Sequence, residues 1–204
     1  MTPKITIWNM ALGFIGTRTI ASEDENTLEA IQCKLYWDNA RRGALRDYPW
    51  NFAQRRVYLA EVPMLAGYEE QYRYAYALPN DILKAHKIFP QGQDYEAMGD
   101  RERGRFIIAH NGESKTGILL CNAEKASLSY TADIEDASLF DDSFVYLLTR
   151  KLSAIIAVSL LKNNPQKVQE LEQIYRMAIP SAVQANAGEG REKERPDSWI
   201  LARG

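Results

Sequence analysis

YPWNFAQRRVYLA, residues 48–60, is the stretch on which the reading of this chain divides. Pro49 disfavours helical backbone at Tyr48, so a helix arriving from the N-terminal side ends there. Beyond it, the β-branched and aromatic residues of RRVYLAEV favour extended chain. The stretch therefore marks the passage from a helical layer into a sheet. A junction between layers leaves a cavity unless large side chains fill it, and Trp50 and Phe52 are the candidates. Burial preference favours that structural role. The competing role is a platform for bases or sugars built on the aromatics with Arg55 and Arg56. It requires exposed rings and a basic groove.

Toward the N-terminus, Ile5, Trp8, Leu12 and Ile15 recur three, four and three apart, which predicts a short helix ended by Gly16. The polar ASEDENT stretch supplies carboxylates suited to the positive end of a following helix. Leu28, Ile31 and Leu35 mark that second helix, which runs to about Asp47. Toward the C-terminus, YRYAYAL, LKAHKIF, RFIIAH and ASLSYTA are short, aromatic or β-branched runs separated by Gly, Pro, Asn or Asp. They predict a small antiparallel β-unit. Tyr72, Tyr74 and Tyr76 alternate and are expected on one strand face. PQGQDYEAMGDRERGR is the most polar connection of the unit.

Helical spacing returns at Asp141 and Asp142, which suit an N-cap and a first turn. Phe144, Leu148, Leu152 and Ile155 share a face, and further apolar residues at 145, 147, 156 and 158 predict burial on most sides. Asn164 and Pro165 form a stop and restart. Val168, Leu171, Tyr175, Ala178 and Ala182 then give a bundle seam, with Pro180 expected to kink or end the last helix early. The fold class read from these patterns is α+β. Residues 1–51 and 137–187 form a helical bundle, residues 52–136 an inserted antiparallel β-unit, and residues 188–204 a flexible C-terminal tail.

Composition narrows the chemistry. With 204 residues and 46% hydrophobic content the chain can bury a substantial core. A formal net charge of −2 argues against whole-molecule attraction to nucleic acid or an anionic membrane. Cys33 and Cys121 form no CxxC pair, which suits a reducing compartment. The N-terminal MTPKITIWNMALGFIG reads poorly as a signal peptide, and the apolar run 154–161 is shorter than the ~20 residues that span a bilayer. The chain thus reads as soluble and intracellular.

His86 and His110 stand alone, without HExxH or a Cys/His cluster, so neither a metal nor a cofactor is expected. GESKTG resembles the front of a phosphate loop, but Ile118 stands where that motif needs Lys, and the loop precedes a strand-like run. Asp133, Glu135, Asp136, Asp141 and Asp142 are explained by capping and solvation better than as a catalytic pair. No catalytic residue is assigned, and the chain reads as a non-enzyme.

WNMALGFIG, the acidic turn after it, ALRDYPWNFAQRRVYLA, YRYAYALPNDILKAHKIF and DDSFVYLLTRKLSAIIAVSLL together resemble the head-to-tail connector family of podophages, the tail tubular protein A-like adaptors. The likeness covers most of the chain, from about residue 5 to 187, and is a pattern of hydrophobic and aromatic anchors. It implies a phage virion structural protein of the neck, assembled in the host cytoplasm. Its subunits form a ring, typically of twelve, that docks to the portal protein and joins it to the tail tube or nozzle. DNA passes through the channel during ejection without specific binding. The bundle is expected to face neighbours and portal, and the β-part the tail tube or nozzle.

The tail is expected to be mobile in the free subunit and to dock on the portal. Trp199, Ile200 and Leu201 would enter a groove, while Arg191, Lys193, Arg195 and Arg203 steer. Two other readings are a tail-associated glycan hydrolase, needing a carboxylate pair in a cleft, and a nucleic-acid-binding module built on Arg55, Arg56 and the tyrosines.

Overall fold

Pro3 opens α1 (Lys4–Ile15), and Gly16 closes it in the left-handed conformation at φ 83°, donating to the carbonyls of Leu12 and Gly13. The computed structural model describes residues 3–91, 105–110, 117–162 and 164–188. Trp8, Leu12 and Ile15 face inward, as their spacing predicts. The turn after α1 is pinned by Asn9, whose amide exchanges two hydrogen bonds with the backbone of the buried Ile20. Thr27 then caps α2 (Leu28–Asp47) by accepting from the Ala30 N–H at 3.3 Å. Tyr48 is extended, as a residue before proline should be, and a 3-10 turn at Asn51–Ala53 leads into the sheets.

Among the described residues seven strands follow: β1 (Gln54–Tyr58), β2 (Glu61–Val62), β3 (Tyr74–Ala77), β4 (Ile82–Phe89), β5 (Phe106–Ala109), β6 (Ile118–Cys121) and β7 (Ser127–Ala132). They form two antiparallel sheets, ordered β1-β7-β4 and β2-β3-β6-β5, where the sequence suggested one unit. The second sheet is covered on both faces, which explains β6. Along ILLC, Leu119 and Cys121 enter the main core shared with the helices. Ile118 and Leu120 enter a second cluster with Ala75 and Ala109. A strand covered on both faces loses its alternation and reads as a continuous apolar run. The same geometry corrects the tyrosine reading. Tyr74 and Tyr76 stack at 6.4 Å on the main-core side, whereas Tyr72 precedes β3 and packs in the second cluster.

Asp141 caps α3 (Asp142–Leu160) by accepting from the Phe144 N–H at 2.6 Å. α3 contacts each of the other three helices. It is long and apolar enough to cross a membrane by length and composition, with mean hydropathy 1.5, and half of that apolar span is buried inside the protein. Burial on most sides is what a central helix requires, but Val158, in its last turn, is exposed, contrary to the periodicity.

Asn164 accepts from the Lys167 N–H, and α4 (Pro165–Gly188) starts at Pro165. The helix passes through Pro180 without ending and includes Gly188, one residue beyond the sequence boundary. Proline removes one N–H. Beyond it, the buried Asn186 ties the helix to Asn51, accepting from its N–H at 3.0 Å and its Nδ2 at 2.8 Å. A polar hub joins three helices. Asp47 of α2 receives Lys151 of α3 at 2.8 Å and the Tyr175 hydroxyl of α4, and burial with the Asp47 charge pushes the Tyr175 hydroxyl pKa well up. Gly43 makes room for this. A Cβ there would lie 2.8 Å from the Lys151 side chain.

Candidate functional site

α2 carries two apolar stripes. The inner one is built from small residues and one large ring: Ala30, Cys33, Trp37, Ala40, Ala44 and Leu45 are buried. Trp37 meets Trp8 of α1 edge-on at 6.1 Å. Burial pushes the Cys33 thiol up to about 12, so it stays protonated and acts as a small hydrophobe. The buried Arg41 bonds Asp133, the Ile134 carbonyl at 2.7 Å and Asp38, stitching α2 to the chain leaving β7.

The outer stripe is Leu28, Ile31 and Leu35, spaced three and four apart, and exposed by 49%, 47% and 64%. These are the residues whose periodicity marks the helix in the sequence, and the structure turns them away from the core. Beside them on α2, Glu29 pairs with Arg18 at 3.4 Å and Lys34 with Asp24 at 3.0 Å. An apolar centre inside a polar frame is the composition of a protein-binding face. Sequence reasoning missed its role because exposed and buried aliphatics follow the same helical period. The available signal was the competing small-residue series around Trp37, which packs closely enough to be the inner face.

Trp50 is 0% exposed. Its indole donates to the Ala44 carbonyl at 2.9 Å and packs edge-on to Phe144 at 5.2 Å. Phe52, half-buried, packs on Phe140 at 5.8 Å and Phe144 at 5.1 Å. The two rings therefore sit in one aromatic group at the start of α3. Arg55 and Arg56 occupy successive positions of β1 and so point to opposite faces. Arg55 pairs with Asp81 at 3.1 Å, while Arg56 bonds Ser127 and lies 3.9 Å from the Phe89 ring.

The carboxylates of the 133–142 segment are spread over separate tasks. Asp133 holds Arg41 and Arg42, and Asp136 and Asp141 cap the turn and helix that follow them. His86 bonds the Thr131 hydroxyl at 2.7 Å, and burial, then the Lys84 and Lys87 charges, lower its pKa. Among the described residues no group of three or more His, Cys, Asp or Glu is placed to hold a metal. Arg191, Lys193, Arg195, Trp199, Ile200, Leu201 and Arg203 lie outside the described residues, as does most of GESKTG. No protein-family model and no curated protein matches the chain.

Proposed function

We propose that this chain is the structural subunit of a phage head-to-tail connector ring, which docks beneath the portal, meets the tail tube or nozzle and leaves a channel for DNA. The observation that carries the reading is the outer stripe of α2. Three large aliphatics on one helix face, framed by ion pairs, favour burial against another protein surface. Each is already about half-buried, so completing its burial adds about half of the roughly 1.5–3 kcal/mol of a full burial, and the stripe offsets part of the cost of association. In a ring the occupant is the neighbouring subunit, and because a ring contact is head-to-tail, it pairs the stripe with a different surface of that neighbour. The resemblance of the aromatic anchors to connector adaptors supports the same assignment. The segment 189–204, with Trp199, Ile200 and Leu201, is proposed as the arm that reaches the portal.

The test is electron microscopy of the purified chain, alone and mixed with the portal assembly of the same virus. Rings stacked on the portal are expected, and Leu35→Asp is expected to abolish them without moving the melting temperature. Absence of any ring under both conditions overturns the reading. So does a Leu35→Asp protein that assembles normally.

A further inference from the structure

A cleft of about 560 Å³ opens between the C-terminal part of α2 and the two sheets. That volume lies within the range of ligand sites, roughly 300–1,000 Å³. Arg42, Arg46, Lys84 and His110 line it, and no Asp or Glu is among its described lining residues. The Lys84 ammonium donates to the Arg46 carbonyl at 3.1 Å, and the Arg46 guanidinium donates to the Leu83 carbonyl at 3.0 Å. These bonds hold two cations in place through backbone carbonyls rather than carboxylates. Part of the charge is answered by the negative end of α2. Arg42 shares Asp133 with Arg41, so one carboxylate serves two guanidiniums.

The sheet edges supply the second observation. Among the described strands, β4 and β5 are the outer ones of their respective sheets, and both border the cleft. A strand paired on one side presents backbone N–H and C=O groups on the other. β4 is a poor template, because its pairing with β7 shifts at Ile82/Lys84 and Ala85/Lys87 and Arg46 occupies the Leu83 carbonyl. β5 pairs regularly with β6 from Phe106 to Ala109. Its Ile108 is 43% exposed, although Ile is among the residues most often buried. Gly117 shapes this wall. A Cβ there would come within 2.6 Å of the Ile108 side chain and 3.2 Å of the His110 ring, so glycine lets both lie close over the start of β6.

We propose that this cleft docks an extended acidic segment of a partner protein, which adds as a strand beside β5. Its main chain pairs with β5, and the side chains on its cleft-facing side, some apolar and some acidic, lie on Phe106 and Ile108 and against Arg46 and Lys84. Strand addition gives affinity through main-chain hydrogen bonds and specificity through alternate side chains. A compact anion such as phosphate answers the cations but leaves the strand edge and the apolar wall unused. An extended acidic chain uses all three. The proposal does not rest on ring assembly, since its site lies on β5 and β4 and not on the outer stripe of α2.

The probe is a fluorescein-labelled peptide, about eight residues long to exceed the usual strand, with Val and Glu taking turns along one face and Ser along the other. Binding to the full chain is read by fluorescence anisotropy. The acidic peptide is expected to bind, to weaken as salt rises, and to lose roughly tenfold in affinity with Lys84→Glu. Ile108→Glu is expected to weaken it similarly, and circular dichroism checks that both variants are folded. Should Lys84→Glu fail to fold, Ile108→Glu decides alone. The same peptide with Lys in place of Glu, and one with proline in place of the Ser residues, which lacks those N–H groups, are expected not to bind. Equal binding of the proline peptide, displacement by equimolar inorganic phosphate, or indifference to both substitutions overturns the proposal. Because the readout is on the subunit, a failure here leaves the ring experiment untouched, and the reverse also holds.

Discussion

The two sheets are made from similar short strands, yet they are held very differently. The sheet β1-β7-β4 joins the helices in one core that takes in Ile88, Leu128, Tyr130 and Ala132 beside Trp8, Leu45, Phe144 and Leu148. The sheet β2-β3-β6-β5 gives one face to that core. On its other face the described cover is the small cluster of Ala75, Ala109, Ile118 and Leu120, with partly buried neighbours such as Val62, Tyr68 and Tyr72. What differs is therefore the cover rather than the strands. A large core shared by helices and sheet couples them into one cooperative unit. A thin layer leaves local opening possible at lower free energy. Among the described strands β5 is the outermost of the thin sheet, where a partner strand would find backbone groups to pair.

The largest expected effect attacks the shared core. Trp50→Ala removes a ring with no exposed surface, its contact with Phe144 and its bond to the Ala44 carbonyl. It is expected to destabilise by about 3–5 kcal/mol. Helix and sheet signals should be lost together in urea unfolding. Separate transitions for the two would break the idea that they share a core.

Leu120→Ala attacks the thin layer. Leu120 is fully buried, but its cluster is small and edged by half-buried side chains that can relax into the gap. The cost is expected near the low end for such a truncation, about 2 kcal/mol. Amide hydrogen exchange should quicken in β3, β5 and β6 while α3 stays protected. Equal acceleration in α3 would show the two layers to be energetically one.

The smallest effect sharpens the comparison at the start of α3. Burial raises the Asp141 carboxyl pKa, with the Asp142 charge adding to it, although the Phe144 and Ser143 N–H groups act the other way. A raised folded-state pKa means that the ionised form is disfavoured by folding. This group's contribution to stability is fully present below the unfolded carboxylate value and is lost as pH rises through the folded one. Asp141→Asn keeps a capping oxygen and removes the charge. It should match or slightly exceed wild type at neutral pH and flatten the stability profile just above the ordinary carboxylate range. Asp141→Ala loses the cap and should cost about 1 kcal/mol at neutral pH. Asn behaving like Ala would mean that the charge, and not the cap, is what the helix needs.

The sequence alone determined the features that depend on neighbours along the chain. Gly16 and Pro49 close helices, Asp141 and Asn164 open them, and the α+β class follows from where the period changes. Such signals are local because a cap, a left-handed turn or a proline acts within a few residues. The burial of Trp50 was legible for a related reason, since a proline-ended helix delivers a large ring into a layer junction. Only the tertiary structure decided which stripe of α2 faces inward. Periodicity gives a face, not the element opposite it, so Leu28, Ile31 and Leu35 could not be told from core residues. It also decided that Tyr72 parts from Tyr74 and Tyr76 and that α4 continues past Pro180, where Ala182 is buried and Asn186 meets Asn51, 135 positions away in the chain. The cleft is the extreme case: Arg46, Lys84 and Ile108 come from three elements, and each alone reads as an ordinary surface or strand residue. Charge and apolar surface meet there through packing of distant segments, which no local pattern records.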